Sequence, residues 1–332
     1  MNANLSQAIT RILVSQYGEA DVLHIDERAV PAPGAGEIRV RHRAIGVNYV
    51  DIYHRRGIYP LPVLPGVPGV EGSGVVEAVG EGVEDWQPGD RVVYAGLPGA
   101  YASVRNLPAA LAVRLSEHLD ADIATAAFMR GITAHMLFAH VRPVQSGDTV
   151  LVHAAAGGLG LILVQWAKSL GATVIGTVGS AAKAELALAH GLDQAIVYRE
   201  QPWVDAVLAA TRGKGVEYAI DGIGGQTLQD SFTVTRTCGT VASIGQVAGA
   251  QTLLDQSLLA TRSLSLAYPS VMRFMADNDR YQAAAADVLA RLGQGLRVHI
   301  DRVLPLNQAA DAHRLLEAGK TAGALLLRPS MN

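Results

Sequence analysis

Gly147–Lys168 reads GDTVLVHAAAGGLGLILVQWAK, and this stretch decides the fold. Thr149–His153 is an apolar run of strand length. It leads straight into Ala155-x-Gly157-x-x-Gly160, and the helical pattern Leu159–Leu170 opens on that turn. Strand, glycine turn and helix in this order make a dinucleotide fingerprint. Gly157 lets the backbone approach a pyrophosphate, the first N–H groups of the helix point at it, and Gly160 lets helix and strand pack closely. Gly158 sits inside the same turn. Ala155 stands where the usual pattern has its first glycine, so the turn is expected to be slightly less permissive. The competing reading is a tight turn without a ligand. Gly171 and a second strand, Thr173–Val178, follow in the expected places and favour the cofactor.

The second strand selects the dinucleotide. NAD sites place an acid near its end to hold the ribose 2′-hydroxyl. Here the strand runs out at Val178-Gly179-Ser180, and the next acid, Glu185, lies within the following helical pattern. Ser180 offers a donor and Lys183 a charge to a 2′-phosphate, so NADPH is expected over NADH.

Outward from this motif the chain falls into three stretches. From about Gly131 to Pro269, strand-like runs alternate with helical patterns: Ala181–His190, Pro202–Thr211, Val216–Ile220 and Thr240–Ile244 continue the rhythm. Such alternation implies right-handed crossovers and a parallel sheet covered on both faces. Residues 1–130 are instead dense in short β-type runs, among them Glu37–Ala44, Gly74–Val79 and Arg91–Tyr94, separated by Gly and Pro turns. They suggest a partly open β-barrel. Residues 270–332 hold two helical patterns, Tyr281–Leu292 and Asn307–Glu317, and two β-like runs, Arg297–Val303 and Ala324–Leu327. They are expected to pack back onto the first stretch. The fold class is therefore α/β, with boundaries at 1–130, 131–269 and 270–332.

Composition narrows the function. With 332 residues, 49% hydrophobic and 17% charged, the chain has material for two cores. The formal charge of -3 carries no basic excess, which disfavours a nucleic-acid binder. A single cysteine, Cys238, excludes an internal disulfide and a four-cysteine zinc site. It sits in the apolar-rich run Thr237–Ile244 and is expected to be a small buried hydrophobe. His153, at a strand end, is expected to be a hydrogen-bonded core histidine. Met1–Arg11 lacks the charge and apolar pattern of a signal peptide, and no apolar run reaches spanning length. A cytoplasmic protein with no membrane association is the expectation. Gly319-Lys320-Thr321 mimics the end of a phosphate loop, but position 314 is Arg314 instead of the leading glycine.

Gly147-Asp148-x-x-Leu151-x-x-x-Ala155-Ala156-Gly157-Gly158-x-Gly160-x-x-x-x-Gln165-x-x-Lys168 resembles the signature of the quinone oxidoreductase (zeta-crystallin) family, in the zinc-free branch of the medium-chain dehydrogenase/reductases. The resemblance extends through Ile45–Asp51, Glu71–Val76, Gly99–Tyr101, Gly131-x-Thr133-Ala134, Gly176–Gly179 and Tyr198–Glu200. It implies a GroES-like catalytic domain built from both chain ends, an inserted Rossmann domain, NADPH in an interdomain cleft, and a homodimer. It implies that Asn48, Tyr53 and Thr133 lie near the nicotinamide and the quinone. By the same resemblance Gly179, Lys183 and Tyr198 hold the 2′-phosphate, and Ser243 and Gly245 line the nicotinamide side. Zinc-dependent relatives carry Gly-His-Glu where this chain has Gly69-Val70-Glu71, and Val70 cannot ligate, so no metal is expected. The reaction implied is reduction of a quinone by NADPH. Reduction of an activated C=C bond in an enone or alkenal is the alternative on the same cofactor. An RNA-binding or structural role is a third reading.

Overall fold

A computed structural model describes residues 8–249 and 256–330. The reading of Met1–Arg11 lies largely outside the described residues. The chain divides into two compact units. One comprises residues up to Met129 together with Met275–Gly293 and the segment from Ile300 onward; the other comprises Arg130–Phe274 and Gln294–His299.

The first unit opens with a hairpin, β1 (Ala8–Val14) against β2 (Leu23–Ala29). β3 (Glu37–Val47) runs into α1 (Tyr49–Arg56), and β4 (Glu71–Val79), β5 (Arg91–Ala95), β6 (Val104–Pro108) and β7 (Val113–Arg114) follow. α2 (Ala121–His135) continues as a π-helical turn over Met136–Val141.

The second unit is a strand–helix alternation: β8 (Thr149–Val152), α3 (Gly158–Ser169), β9 (Thr173–Val178), α4 (Ala181–Ala189), β10 (Gln194–Val197), α5 (Trp203–Ala210), β11 (Val216–Asp221), α6 (Gly225–Val234), β12 (Thr235–Ser243), α7 (Gln256–Arg262) and β13 (Ser265–Ala267). Among the described residues its strands pair in the order β10-β9-β8-β11-β12-β13, all parallel. The order reverses beside β8, so the loops after β8 and β11 flank the switch point where α/β sheets bind ligands. Its core gathers Leu151, Ile175, Ile196, Val207, Ala219 and Phe232.

α8 (Val271–Met275) and α9 (Asn278–Gly293) precede β14 (Ile300–Pro305), α10 (Ala309–Glu317) and β15 (Ala324–Arg328). β15 pairs antiparallel with β3, and β14 parallel with β15. The returning segment thereby extends the first unit's sheet, whose order is β14-β15-β3-β4-β5-β7 with β6 also paired to β3. Ile38, Val40 and Tyr94 share one core with Leu306, Ala312 and Leu327. Two expectations are corrected. The β run read at Arg297–Val303 begins only at Ile300, and of residues 270–332 both 270–274 and Gln294–His299 group with the second unit. Cys238 is exposed at φ 60 within β12, because the strand bulges there and turns the thiol out of the core.

A buried polar network fastens the returning helix. Arg55 on α1 is fully buried and donates to both carboxylate oxygens of Glu317, at 2.9 and 2.7 Å. Nδ1 of His313 lies 3.4 Å from the same guanidinium, and its Nε2 lies 2.9 Å from the Tyr101 hydroxyl. Burial pushes His313 down to about 3, assisted by the Arg55 charge. His42, wedged between the Ala102 carbonyl and the Tyr94 hydroxyl at 2.6 Å each, is pushed to about 3 by burial. His54 falls to about 4 for the same reason.

These values make stability depend on pH. The unfolded chain protonates these histidines near their ordinary pKa, about 6.5. The folded chain resists until about 3 to 4. Between those limits the unfolded state binds more protons, so stability is lost as pH falls, by at most about 1.4 kcal/mol per histidine per pH unit. Urea unfolding midpoints should drop between pH 7.5 and 5.5, and His313→Gln should make that drop shallower. A flat profile in the wild type would contradict the burial of neutral histidines.

Candidate functional site

Beyond β8 the backbone makes one strained step. Ala154 takes φ 51, a left-handed conformation that costs a non-glycine residue roughly 1–2 kcal/mol. Ala155 then donates its N–H to the Thr177 carbonyl at 3.1 Å, and Gly157 donates to the Ala154 carbonyl at 2.8 Å. Gly157 is the N-cap of α3, and no side chain caps it. The first helical bond runs from Leu161 to Gly157, which leaves the N–H groups of the first turn aimed out of the helix end. A Cβ at Gly160 would lie 2.4 Å from the Ala154 carbonyl, so only glycine lets helix and turn approach this closely. Ala155 departs from its expectation. The left-handed residue is its neighbour Ala154, and its own methyl fills space left by Gly176, where a Cβ would come within 2.5 Å of it. Alanine therefore does not make the turn less permissive at that position. Uncapped N–H groups and a cradle that a Cβ would fill fit the pyrophosphate of a dinucleotide.

Val178 pairs with Val197, so the chain leaves β9 and β10 side by side at the same end of the sheet. Gly179 and Ser180 follow one strand, Tyr198 and Arg199 the other. The Tyr198 phenol lies over Gly179, where a Cβ would be 3.1 Å from its hydroxyl. Ser180 caps α4 by accepting the Lys183 N–H at 3.4 Å, which leaves its own hydroxyl proton to donate. Lys183 stands in the first turn of α4, half-buried. The Arg199 guanidinium lies 6.0 Å over the Tyr198 ring. Arg199 was visible in the Tyr198–Glu200 segment but drew no role from the sequence. Glu185 and Glu200 are exposed, on α4 and on the turn after β10. The two strand ends and the first turn of α4 together carry hydroxyls and cations, a donor set suited to a 2′-phosphate.

At the end of β12, buried Ser243 pairs in register with Asp221. A Cβ at Gly245 would lie 2.5 Å from the Gly222 carbonyl, so the two loops touch backbone to backbone. Asp221 holds the turn after β11 by accepting from Ile223 at 2.6 Å and Gly224 at 2.8 Å, and burial pushes its carboxyl up. His153 bridges Thr177 at 2.8 Å and Ser231 at 3.0 Å, and burial lowers it to about 3. It is the hydrogen-bonded core histidine that the sequence suggested.

In the first unit, Asn48 ends the β3 run and caps α1 in a capping box with Asp51, whose carboxylate accepts the Asn48 N–H at 2.8 Å. The Asn48 side-chain amide donates to Glu71 at 2.7 Å. Glu71 is fully buried, and its other oxygen accepts the Met129 N–H at 3.0 Å. Tyr53 is buried one turn along α1. Its ring meets Tyr59 edge-on at 5.3 Å and Tyr49 at 6.4 Å. Tyr49 donates to the Leu316 carbonyl, and burial raises it to about 12. Thr133 is buried on the part of α2 that belongs to the second unit. Val70 is fully buried beside Glu71, and among the described residues no group of three or more His, Cys, Asp or Glu gathers as a metal site. Asp51 and Glu71 gained no role from the sequence, although Asn48-x-x-Asp51 ahead of a helix is itself a capping signal.

Residues 34–117 match the alcohol dehydrogenase GroES-like domain and residues 158–291 the zinc-binding dehydrogenase family. Quinone oxidoreductase 1 of Escherichia coli is 37% identical over 326 residues, covering 96% of this chain and 99% of the relative. A 2-haloacrylate reductase of Burkholderia is 37% identical over 327 residues, covering 96% and 98%. The solved structure of Escherichia coli quinone oxidoreductase complexed with NADPH superposes with a TM-score of 0.93 at 38% identity, covering 96% of this chain and all of that one. The chain belongs to the quinone oxidoreductase family of the medium-chain dehydrogenase/reductase superfamily.

Proposed function

We propose that this protein oxidises NADPH and reduces a quinone. The observation that carries the reading is the strand–turn–helix of the second unit, with its uncapped α3 N-terminus, followed by the paired ends of β9 and β10, where Ser180, Tyr198 and Arg199 follow the strands and Lys183 stands in the first turn of α4. It is supported by the full-length likeness to relatives named for that activity. The α3 N-terminus at Gly157, Gly158 and Gly160, with buried Ala155 beneath it, would hold the pyrophosphate. Gly179, Ser180, Lys183 and Tyr198 would hold the 2′-phosphate, with Ser243 and Gly245 toward the nicotinamide. When bound, NADPH supplies a hydride.

The residues have a modest chemical task. A quinone is already electrophilic, and the oxygen that gains charge on reduction is a weak base. It needs orientation and a hydrogen-bond donor more than a strong acid. The Asn48 amide, fixed by its bond to Glu71, and the Tyr53 hydroxyl serve that need, with Thr133 as a further hydroxyl. The proposal includes zinc-free turnover, supported by buried Val70 at the ligand position, and the homodimer implied by the family resemblance. No helix among the described residues is long and apolar enough to cross a membrane.

The test is steady-state turnover of NADPH against ortho-quinones, para-quinones and enones, with and without chelator. Wild type should prefer NADPH to NADH and reduce quinones regardless of chelator. Asn48→Ala should lower quinone kcat/KM by about 10–100-fold, below the full loss of a critical oxyanion donor, and leave NADPH affinity near wild type. Faster turnover of enones than of quinones would favour C=C reduction, the reading suggested by the 2-haloacrylate reductase relative.

A further inference from the structure

We infer that Glu71 is a positioning residue: its buried carboxylate sets which way the Asn48 amide faces, so that an N–H and not the carbonyl is presented to substrate. The inference rests on the proposed role of Asn48 and adds the residue that enforces it. Glu71 is fully buried, and each of its oxygens has a named donor, Asn48 Nδ2 at 2.7 Å and Met129 N at 3.0 Å. An ionised carboxylate only accepts. The turned-over amide would set Oδ1 against Oε1 at hydrogen-bond distance with no proton between them. The amide is therefore locked with Nδ2 toward Glu71, and its second N–H remains to donate. β3 makes room for this arrangement. A Cβ at Gly46 would lie 2.0 Å from the same Oε1, so the neighbouring strand carries no side chain at that point. The capping box of α1, in which the Asn48 side chain faces the Asp51 N–H, fixes the backbone from which the amide projects and favours the same orientation of the amide. A carboxylate whose role was only to close the Met129 N–H would need neither Gly46 nor the second bond.

Glu71→Gln tests this. The introduced amide keeps its oxygen on the Met129 N–H and turns an NH₂ toward the NH₂ of Asn48. The two donors repel and the Asn48 amide turns over. Quinone kcat should fall by about the factor seen for Asn48→Ala, with the NADPH dissociation constant within about twofold of wild type. The double variant N48A/E71Q should be no slower than N48A, because Glu71 acts through Asn48. The exchange N48D/E71Q rebuilds the bond with donor and acceptor reversed. Its melting temperature should return toward wild type while kcat stays low, which a purely structural role would not produce. Losses that multiply in N48A/E71Q, or wild-type kcat in E71Q, would overturn the inference. The side-chain amide protons of Asn48, assigned by their absence in N48D, supply a readout independent of turnover. One should be shifted downfield by the carboxylate in wild type and lose that shift in E71Q. If N48A turns over normally while this shift is lost in E71Q, the role of Asn48 fails and the positioning stands. If the shift is unchanged, the positioning fails whatever the kinetics.

Discussion

Gly157→Asp is expected to abolish measurable NADPH binding while the protein stays folded. The two parts of this result have separate causes. Gly157 has φ -77 and ψ 168, an extended conformation open to any residue, and an added Cβ would meet only the Ala154 carbonyl, at 3.2 Å. Asp is a favoured N-cap, and its carboxylate can accept the N–H groups of the α3 first turn, so the helix gains a cap that it lacks now. Those same N–H groups are the ones proposed to meet the pyrophosphate. The substitution occupies the anion site with an anion of its own. Each charge-assisted bond lost is worth roughly 1.5–3 kcal/mol, and repulsion between the carboxylate and the phosphates adds to the loss. Two such bonds correspond to about 10²–10⁴ in affinity. Fluorescence titration should show no saturation at concentrations that saturate wild type, and the circular dichroism spectrum and melting temperature should be at or above wild-type values. Normal NADPH affinity in that folded variant would remove the fingerprint from the binding site.

The second unit was legible because its physics is local. A strand that feeds a glycine turn and then an apolar helix declares itself within about 20 residues, and β9 falls on Thr173–Val178 as its apolar run indicated. α2 left no such signal. Ala124–Ala134 is buried on every face, so the segment shows no polar stripe against which a helical period can be read. α1 escaped for another reason: at eight residues it is announced only by its caps, Asn48 with Asp51 at one end and Gly57 in the left-handed conformation at the other. β2 is largely exposed, so no buried face imposes an alternation on its sequence. At the site, the glycines and Asn48 were readable as a pattern. Glu71 was not, since a buried carboxylate is recognisable only once its donors are known, and those come from residues 23 and 58 positions away; Asp51 was signalled locally, but only as the cap partner of Asn48. The Cys238 error has the same origin. An apolar run predicts burial, but a bulge shifts the register by which successive side chains face in or out.

Arg55→Ala should cause the largest loss of stability of any single substitution considered, without direct contact with the proposed cofactor groups. Arg55 is fully buried and is held by Glu317 through a two-pronged pair, by the Gly18 carbonyl at 3.1 Å and by His313. It joins α1, from the beginning of the chain, to α10, from its end. Removing one partner of a buried pair costs about 3–5 kcal/mol, because the other charge is left without compensation. The Glu317 side chain keeps 21% exposure and a second cation, Arg56, at 2.9 Å, so water and Arg56 relieve part of that penalty and the lower end, about 3 kcal/mol, is the expectation. The melting temperature should fall by roughly 6–12 °C, at about 2–4 °C per kcal/mol for a chain this large. The partner is the informative control. Arg55→Met with Glu317→Leu removes both charges and replaces them with apolar volume, and such exchanges are often neutral or stabilising. Recovery of most of the lost stability in the double variant would show that the cost lies in a carboxylate deprived of its buried partner and left to Arg56 alone. In that case the pair's role is to fix which surface α10 docks on and not to add net stability. If Arg55→Ala shifts the melting temperature by less than about 2 °C, the network does not hold the returning segment, and the shared core of Ile38, Tyr94, Ala312 and Leu327 must do so alone.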